Sequence, residues 1–227
     1  MLVSLSPIIA DARGSAGALC FFQGRAGLVA RIKTTPFQPL TPEQFLARAS
    51  LASISQTWRT PAMDAYRAGW IILAGTYRYY DVFHVLRTLH GSAMFAKLNR
   101  NLSTIGLSAI FEAPTTLSCG TPGVLTLTHV VGPPEHFWVS APTPPAGDEA
   151  VVIRATRPLS PGLLTLSNSQ SIVEALNPAT AGPWDILTPY KAKHAHIVTG
   201  QQIFVLVNYV NTATGFAGQQ SVDALIW

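Results

Sequence analysis

The first apolar runs of the chain are short and paired. Leu19-Cys20-Phe21-Phe22 and Leu28-Val29-Ala30-Arg31-Ile32 stand on either side of Gln23-Gly24-Arg25-Ala26-Gly27. Two β-type runs around a glycine-bounded turn predict a β-hairpin over residues 17–33. A two-stranded ribbon alone in water is marginal, and no neighbouring run offers it a partner strand, so this hairpin is expected to need cover from elsewhere. The prolines of Thr34-Thr35-Pro36-Phe37-Gln38-Pro39-Leu40 predict an extended spacer after it, because proline restricts both itself and the residue before it.

The period then changes to that of a helix. Thr41-Pro42-Glu43-Gln44 supplies an N-cap, a proline at the first helical position and a glutamine at the third, which together open a helix. It runs to about Trp58, with Phe45, Ala49, Ala52 and Gln56 along one side. Thr60-Pro61 repeats the start signal, and Met63, Tyr66, Trp70 and Leu73 follow at helical spacing. Between Gly75 and Gly91 the aromatics show no clean period, which predicts a loop with a short strand pair. Met94, Phe95, Leu98, Leu102 and Ile105 mark a third helix over 92–105, closed by Gly106. Past Pro114 the pattern is β-type. Short runs are bounded by turn residues at 123–131, 136–141, 149–156, 162–166, 184–187, 190–198, 202–209 and 218–227. Val205 and Val207 in the 202–209 run predict a strand covered on both faces. Seven or so strands in such a stretch have the rhythm of an immunoglobulin or fibronectin type III sandwich, without the Cys…Trp…Cys pattern of a true immunoglobulin domain. The fold class expected is therefore α+β in three parts: an arm with the hairpin (1–40), a three-helix head (41–112) and an antiparallel β-sandwich (113–227).

Composition adds a reason to look for partners. Charged residues are 11% of the chain, well below the roughly 25% usual in soluble domains, and so poor a supply suits a surface that is covered in an assembly. The charge is also uneven. Residues 1–112 hold eleven Lys/Arg against five acids, net +6, and residues 113–227 hold four against six, net −2. Such asymmetry serves nucleic acid or the docking of one subunit's front on the next one's back. The bases are dispersed, and no recognition motif for nucleic acid accompanies them. No run of eighteen apolar residues predicts a membrane span, and the N-terminus lacks the basic region of a signal peptide. The expectation is synthesis in the cytoplasm, with a virion or extracellular assembly as the final location.

Candidate chemistry is sparse. There is no Gly-x-Ser-x-Gly elbow, P-loop, dinucleotide fingerprint or His-Glu-x-x-His, so no enzyme and no cofactor is expected. His194-Ala195-His196, read as part of a strand, would put two imidazoles on one face, a weak metal candidate without a third ligand. Asp148-Glu149 reads as a solvated turn. Cys20 and Cys119 read as free thiols. Trp58, Trp70, Trp138, Trp184 and Trp227 are read mainly as core, with stacking on sugars or bases as the other use. Ala224-Leu225-Ile226-Trp227 ends on an apolar strand tip suited to closing the sandwich or meeting a neighbour.

The order of these parts resembles a group of structural-module proteins of tailed bacteriophages and prophages. The resemblance is carried by Asp11-Ala12-Arg13-Gly14-Ser15-Ala16-Gly17, Trp58-Arg59, Arg67-Ala68-Gly69-Trp70, Leu98-Asn99-Arg100-Asn101-Leu102 and Ala155-Thr156-Arg157-Pro158-Leu159-Ser160-Pro161-Gly162. It implies a virion or filament component and carries no catalytic residue. The reading that joins these observations is a subunit that assembles with copies of itself, or with other virion or surface proteins, into a filament, tube or particle surface. Its arm would pair with a neighbour's sheet through Leu19, Phe21, Phe22, Val29, Arg31 and Ile32, with Trp227 as a further contact. Pairing within the chain stays open beside it. The alternatives are a monomeric decoration or adhesion module whose sandwich binds a glycan or protein, and a nucleic-acid-associated protein using the basic half.

Overall fold

The computed structural model describes residues 3–4, 14–16, 19–24, 27–32, 41–80, 86–160, 162, 170–176, 178, 180–194 and 197–227. They show a mixed α and β chain with antiparallel sheets, divided into two compact units, residues 1–45 and 46–227.

In the first unit the hairpin forms as expected, from β3 (Leu19–Gly24) and β4 (Gly27–Ile32). Its expected isolation is not found. The strands β1 (Val3–Ser4) and β2 (Gly14–Ala16) pair with β4 and β3 to make a four-stranded sheet in the order β1-β4-β3-β2. Strands of two and three residues leave no periodic trace in a sequence, which is why the flanking pairs are illegible there. The register sets Leu19 opposite Ile32 and Phe21 opposite Ala30, while Cys20 faces Arg31 and Phe22 faces Val29. Alternation along a strand therefore divides the six expected contact positions between two faces: Leu19, Phe21 and Ile32 on one, Phe22, Val29 and Arg31 on the other.

Helix α1 (Pro42–Arg59) starts at the predicted cap, with Thr41 Oγ1 accepting the Gln44 N–H at 3.3 Å. A 3-10 turn at Pro61–Met63 leads into α2 (Asp64–Thr76), and the short pair β5 (Arg78–Tyr80) and β6 (Leu86–Thr88) precedes α3 (Gly91–Thr104). These helices bury Ile54, Met63, Trp70, Leu73, Met94, Phe95 and Leu98 in one cluster, against which Leu117 and Phe216 also pack. Trp70 meets Phe95 edge to face at 5.2 Å and donates its indole N–H to the Phe111 carbonyl at 2.7 Å. Buried Asn99 bonds both the N–H and the carbonyl of Ile110, fixing the path of the chain after α3. Gly106, at φ +75°, ends that helix as predicted, and the Leu107 N–H reaches back to the Leu102 carbonyl at 2.9 Å.

The remaining strands form two antiparallel sheets. One has the order β11-β8-β7, from β7 (Thr126–Val130), β8 (His136–Ser140) and β11 (Trp184–Asp185). The other has the order β10-β9-β12-β13, from β9 (Glu149–Thr156), β10 (Gln170–Leu176), β12 (Gln202–Asn211) and β13 (Ser221–Ile226). Leu125, Phe137, Val139 and Trp184 from the first region share a core with Val151, Ile153, Ile203, Val205, Val207 and Tyr209 from the second. The opposite faces of β9 and β12 are covered as well, since Ala150, Val152, Leu206 and Val210 are also buried, in keeping with the reading of Val205 and Val207.

Two departures from expectation lie here. The strand β10 was not foreseen. Of the run expected as a strand at 190–198, residues 190–193 lie instead in the helix α4 (Leu187–Lys193). Its Leu187 N–H is held by Asp185 Oδ1 at 3.1 Å, and Pro189 falls in the first turn, where a missing N–H leaves no helical bond unmade. The predicted run at 162–166 falls outside the described residues except for Gly162. Among the described residues no helix is long and apolar enough to cross a membrane.

Candidate functional site

The densest collection of polar and aromatic groups lies in the second unit, where the β7–β8 turn, α4 and the residue after β13 converge. Four anchors build it. Trp227 is fixed through its backbone, its N–H donating to the Gln201 carbonyl at 2.8 Å and its carbonyl accepting from the Gly200 N–H at 2.6 Å. Its indole lies on the His129 imidazole, with ring centroids 3.6 Å apart, and meets Phe137 nearly at a right angle at 5.4 Å. Glu135, the last residue of the turn, places Oε1 3.1 Å from His129 Nε2 and accepts from Lys191 Nζ through Oε2 at 2.5 Å. Lys191 in turn is positioned by α4, whose start is tied down by Asp185. That carboxylate accepts the N–H groups of Phe137 and Leu187 through Oδ1, and its Oδ2 stands 2.5 Å from His136 Nδ1. One aspartate thus joins β8, β11 and the helix that carries the lysine.

The electrostatics follow from these contacts. The hydrogen bond from Lys191, then that from His129, holds the Glu135 carboxyl below its ordinary range. Burial pushes Asp185 upward, but the bonds from His136 and from the Leu187 and Phe137 N–H groups outweigh it and leave the carboxyl lowered. A cavity of about 460 Å³ opens beside this cluster, lined by Glu135, Lys191, Ile197 and Trp227, a volume within the usual range for small-molecule sites.

Among the described residues of this cluster no hydroxyl or thiol nucleophile is placed against a base. His136 and Asp185 form the orienting half of a base, yet among the described residues no hydroxyl or thiol bonds His136. Cys119 is also silent: burial first, then the Glu149 carboxylate beside it, pushes its thiol up to about 12, far from the thiolate that reacts. Glu149 itself is buried and accepts the Gly120 and Ala146 N–H groups. It is a structural clasp, where the sequence suggested a solvated turn.

Of the predicted metal pair, His194 does not lie on a strand. His194 ends α4, with Nε2 2.9 Å from Ser171 Oγ and its ring tilted over Tyr190 at 4.8 Å. His196 lies outside the described residues. Among the described residues no group of three or more potential ligands is gathered. Of the expected contact residues, Leu19, Arg31 and Ile32 are exposed, Phe21 and Val29 are half-buried, and the Phe22 side chain falls outside what is described. Trp227 is half-buried and joins the ring cluster of its own unit. In the basic half, Arg67 is bound to Asp64 and to the Trp58 carbonyl, and Lys97 donates to the Tyr77 hydroxyl at 2.6 Å.

Comparisons with protein-family models, with curated proteins and with solved structures gave no match.

Proposed function

We propose that this chain is a non-catalytic structural subunit that assembles with copies of itself, using its N-terminal sheet as the docking element. The observation that carries this is the poverty of the sheet's own core. Among the described side chains of residues 1–45, Ala30 is the buried hydrophobic one, while Leu19 is 42% exposed and Ile32 67%. A sheet of this size is stable when one face is covered, and the Leu19–Phe21–Ile32 face is the more apolar of its two. Support comes from the exposed Leu46, Leu51, Ile71 and Ile72 of α1 and α2, and from the scarcity of charge.

In this reading the two sheets sharing one core in the second unit form a fibronectin-like sandwich, α1, α2 and α3 form a small head, and the parts are those that the resemblance to phage structural modules implies. Since β1 and β2 already pair with the hairpin, docking proceeds through the face of the sheet more than through its edges, in a head-to-tail contact that makes open polymers unless the rotation closes.

Sedimentation velocity over a wide concentration range, with negative-stain microscopy, tests it. The wild-type chain should form concentration-dependent oligomers, and Leu19→Glu combined with Ile32→Glu should reduce them to monomer. A wild-type protein that stays monomeric at every concentration, or a double variant that assembles normally, would refute it.

A further inference from the structure

We propose that the cavity beside Trp227 binds a neutral pyranose ring, with Glu135 and Lys191 bonding two adjacent hydroxyls while Ile197 and Trp227 receive the C–H face. The inference is independent of self-assembly and rests on the chemistry of the lining.

Glu135 and Lys191 are each other's partner at 2.5 Å, so the wall they form is a pair of opposite charges with little net charge. An anion meets the carboxylate there, and a cation meets the ammonium. A wholly apolar ligand would strip water from both charges and replace it with nothing, which is costly. Adjacent hydroxyls avoid all three penalties. One donates to a Glu135 oxygen and the next accepts from Lys191, since a hydroxyl both donates and accepts, whereas carboxylate only accepts and ammonium only donates. Bonds to charged partners are the stronger class. The rest of the lining is suited to the other side of such a ring. Ile197 is buried and Trp227 is half-buried, and an indole offers area at low cost in conformational entropy.

The lining is also held in place before any ligand arrives. His129 backs the indole and bonds the other oxygen of Glu135, the backbone of Trp227 is pinned to residues 200 and 201, and Val198 is held by the Gln201 side chain at 2.8 Å. Preorganisation of this kind reduces the ordering cost of binding.

The test is nitrogen-15 NMR of the five indole N–H signals of the full chain, with Trp227 assigned through Trp227→Phe. Neutral methyl pyranosides, an acidic sugar, an amino sugar and a nucleoside are titrated in turn. At least one neutral pyranoside should shift the Trp227 signal saturably while Trp58 and Trp70 stay put, and Glu135→Gln and Lys191→Met should each weaken that binding about tenfold. Unchanged signals from the other four indoles certify that the variants are folded. A matching oligosaccharide that binds at least tenfold tighter than the monosaccharide identifies a glycan chain as the source, and equal affinity identifies a free sugar. No pyranoside shifting Trp227, a response only to the charged sugars or the nucleoside, or variants that bind as tightly as wild type would each overturn the proposal.

Discussion

Adding one methyl group at Gly215 should destabilise the second unit severely, and the structure gives the reason in two separable parts. Gly215 sits in the turn between β12 and β13 at φ +70°, a conformation that costs a residue with a side chain about 1–2 kcal/mol. Its missing Cβ would also collide with α3. It would fall inside contact distance of the Leu98 carbonyl oxygen and 2.9 Å from both Leu98 C and Leu102 Cγ. A helix backbone cannot step aside as a flexible side chain can, and overpacking of this kind costs about 1–3 kcal/mol more. The neighbouring bonds allow little escape, because the Gly215 N–H is held by the Asn211 carbonyl at 2.8 Å and its own carbonyl by Asn101 Nδ2 at 2.9 Å. Gly106 provides the control, with φ +75° and no atom within 4 Å of its would-be Cβ. Gly215→Ala should therefore lose about 2–5 kcal/mol and Gly106→Ala about 1–2. For a unit of this size, each kcal/mol lowers the melting temperature by about 2–4 °C. Calorimetry on both variants measures the difference. Equal losses would show that the contact with α3 has no energetic consequence and would sink the argument.

Two further outcomes follow from half-buried titratable groups. Burial, and then Lys193, holds the His194 imidazole below its ordinary value. The unfolded chain therefore takes up the proton first, so the stability is fully present above about pH 6.5 and declines as pH falls from there to the folded value. Denaturant midpoints across that window should be flatter for His194→Gln than for wild type, and identical slopes would refute this. With its thiol pushed up to about 12, Cys119 should be alkylated at pH 8 about a thousandfold more slowly in the native chain than after unfolding, since the thiolate is the reacting form. Peptide mapping by mass spectrometry measures both rates, and equal rates would contradict the assigned environment.

Much of the fold was legible because local chemistry marked it. The Thr-Pro starts of the first two helices, Gly106 and the β-type runs of 126–130, 136–140, 149–156 and 202–211 all act at short range. The failures are equally physical. Tyr190-Lys191-Ala192-Lys193 alternates apolar and polar as a strand does, while the helix that forms there is tied at its start by a tertiary-placed bond from the Leu187 N–H to Asp185. Gln170–Leu176 contains Glu174, Ala175 and Leu176, good helix formers, and is a strand because β9 offers it a ladder. The site was the least readable. Glu135 and Lys191 are 56 positions apart, and no spacing rule joins a residue of a tight turn to one on a helix that was itself unforeseen. Trp227 was singled out, but its stacking on His129 is a product of tertiary closure.

The double covering of β9 and β12 bears on how such a chain can vary. Of the residues in these two strands, only Arg154 and Gln202 are not fully buried, so nearly every position there is constrained by neighbours on whichever side it points. Freedom to diversify is thereby displaced to the flanks. The strands β10 and β13 are mostly half-buried, with Ala175, Val222 and Ile226 open to solvent. A saturation-mutagenesis map should show an intolerant central ribbon between two permissive borders, and those borders are where new surface chemistry, natural or engineered, can be introduced without disturbing the frame.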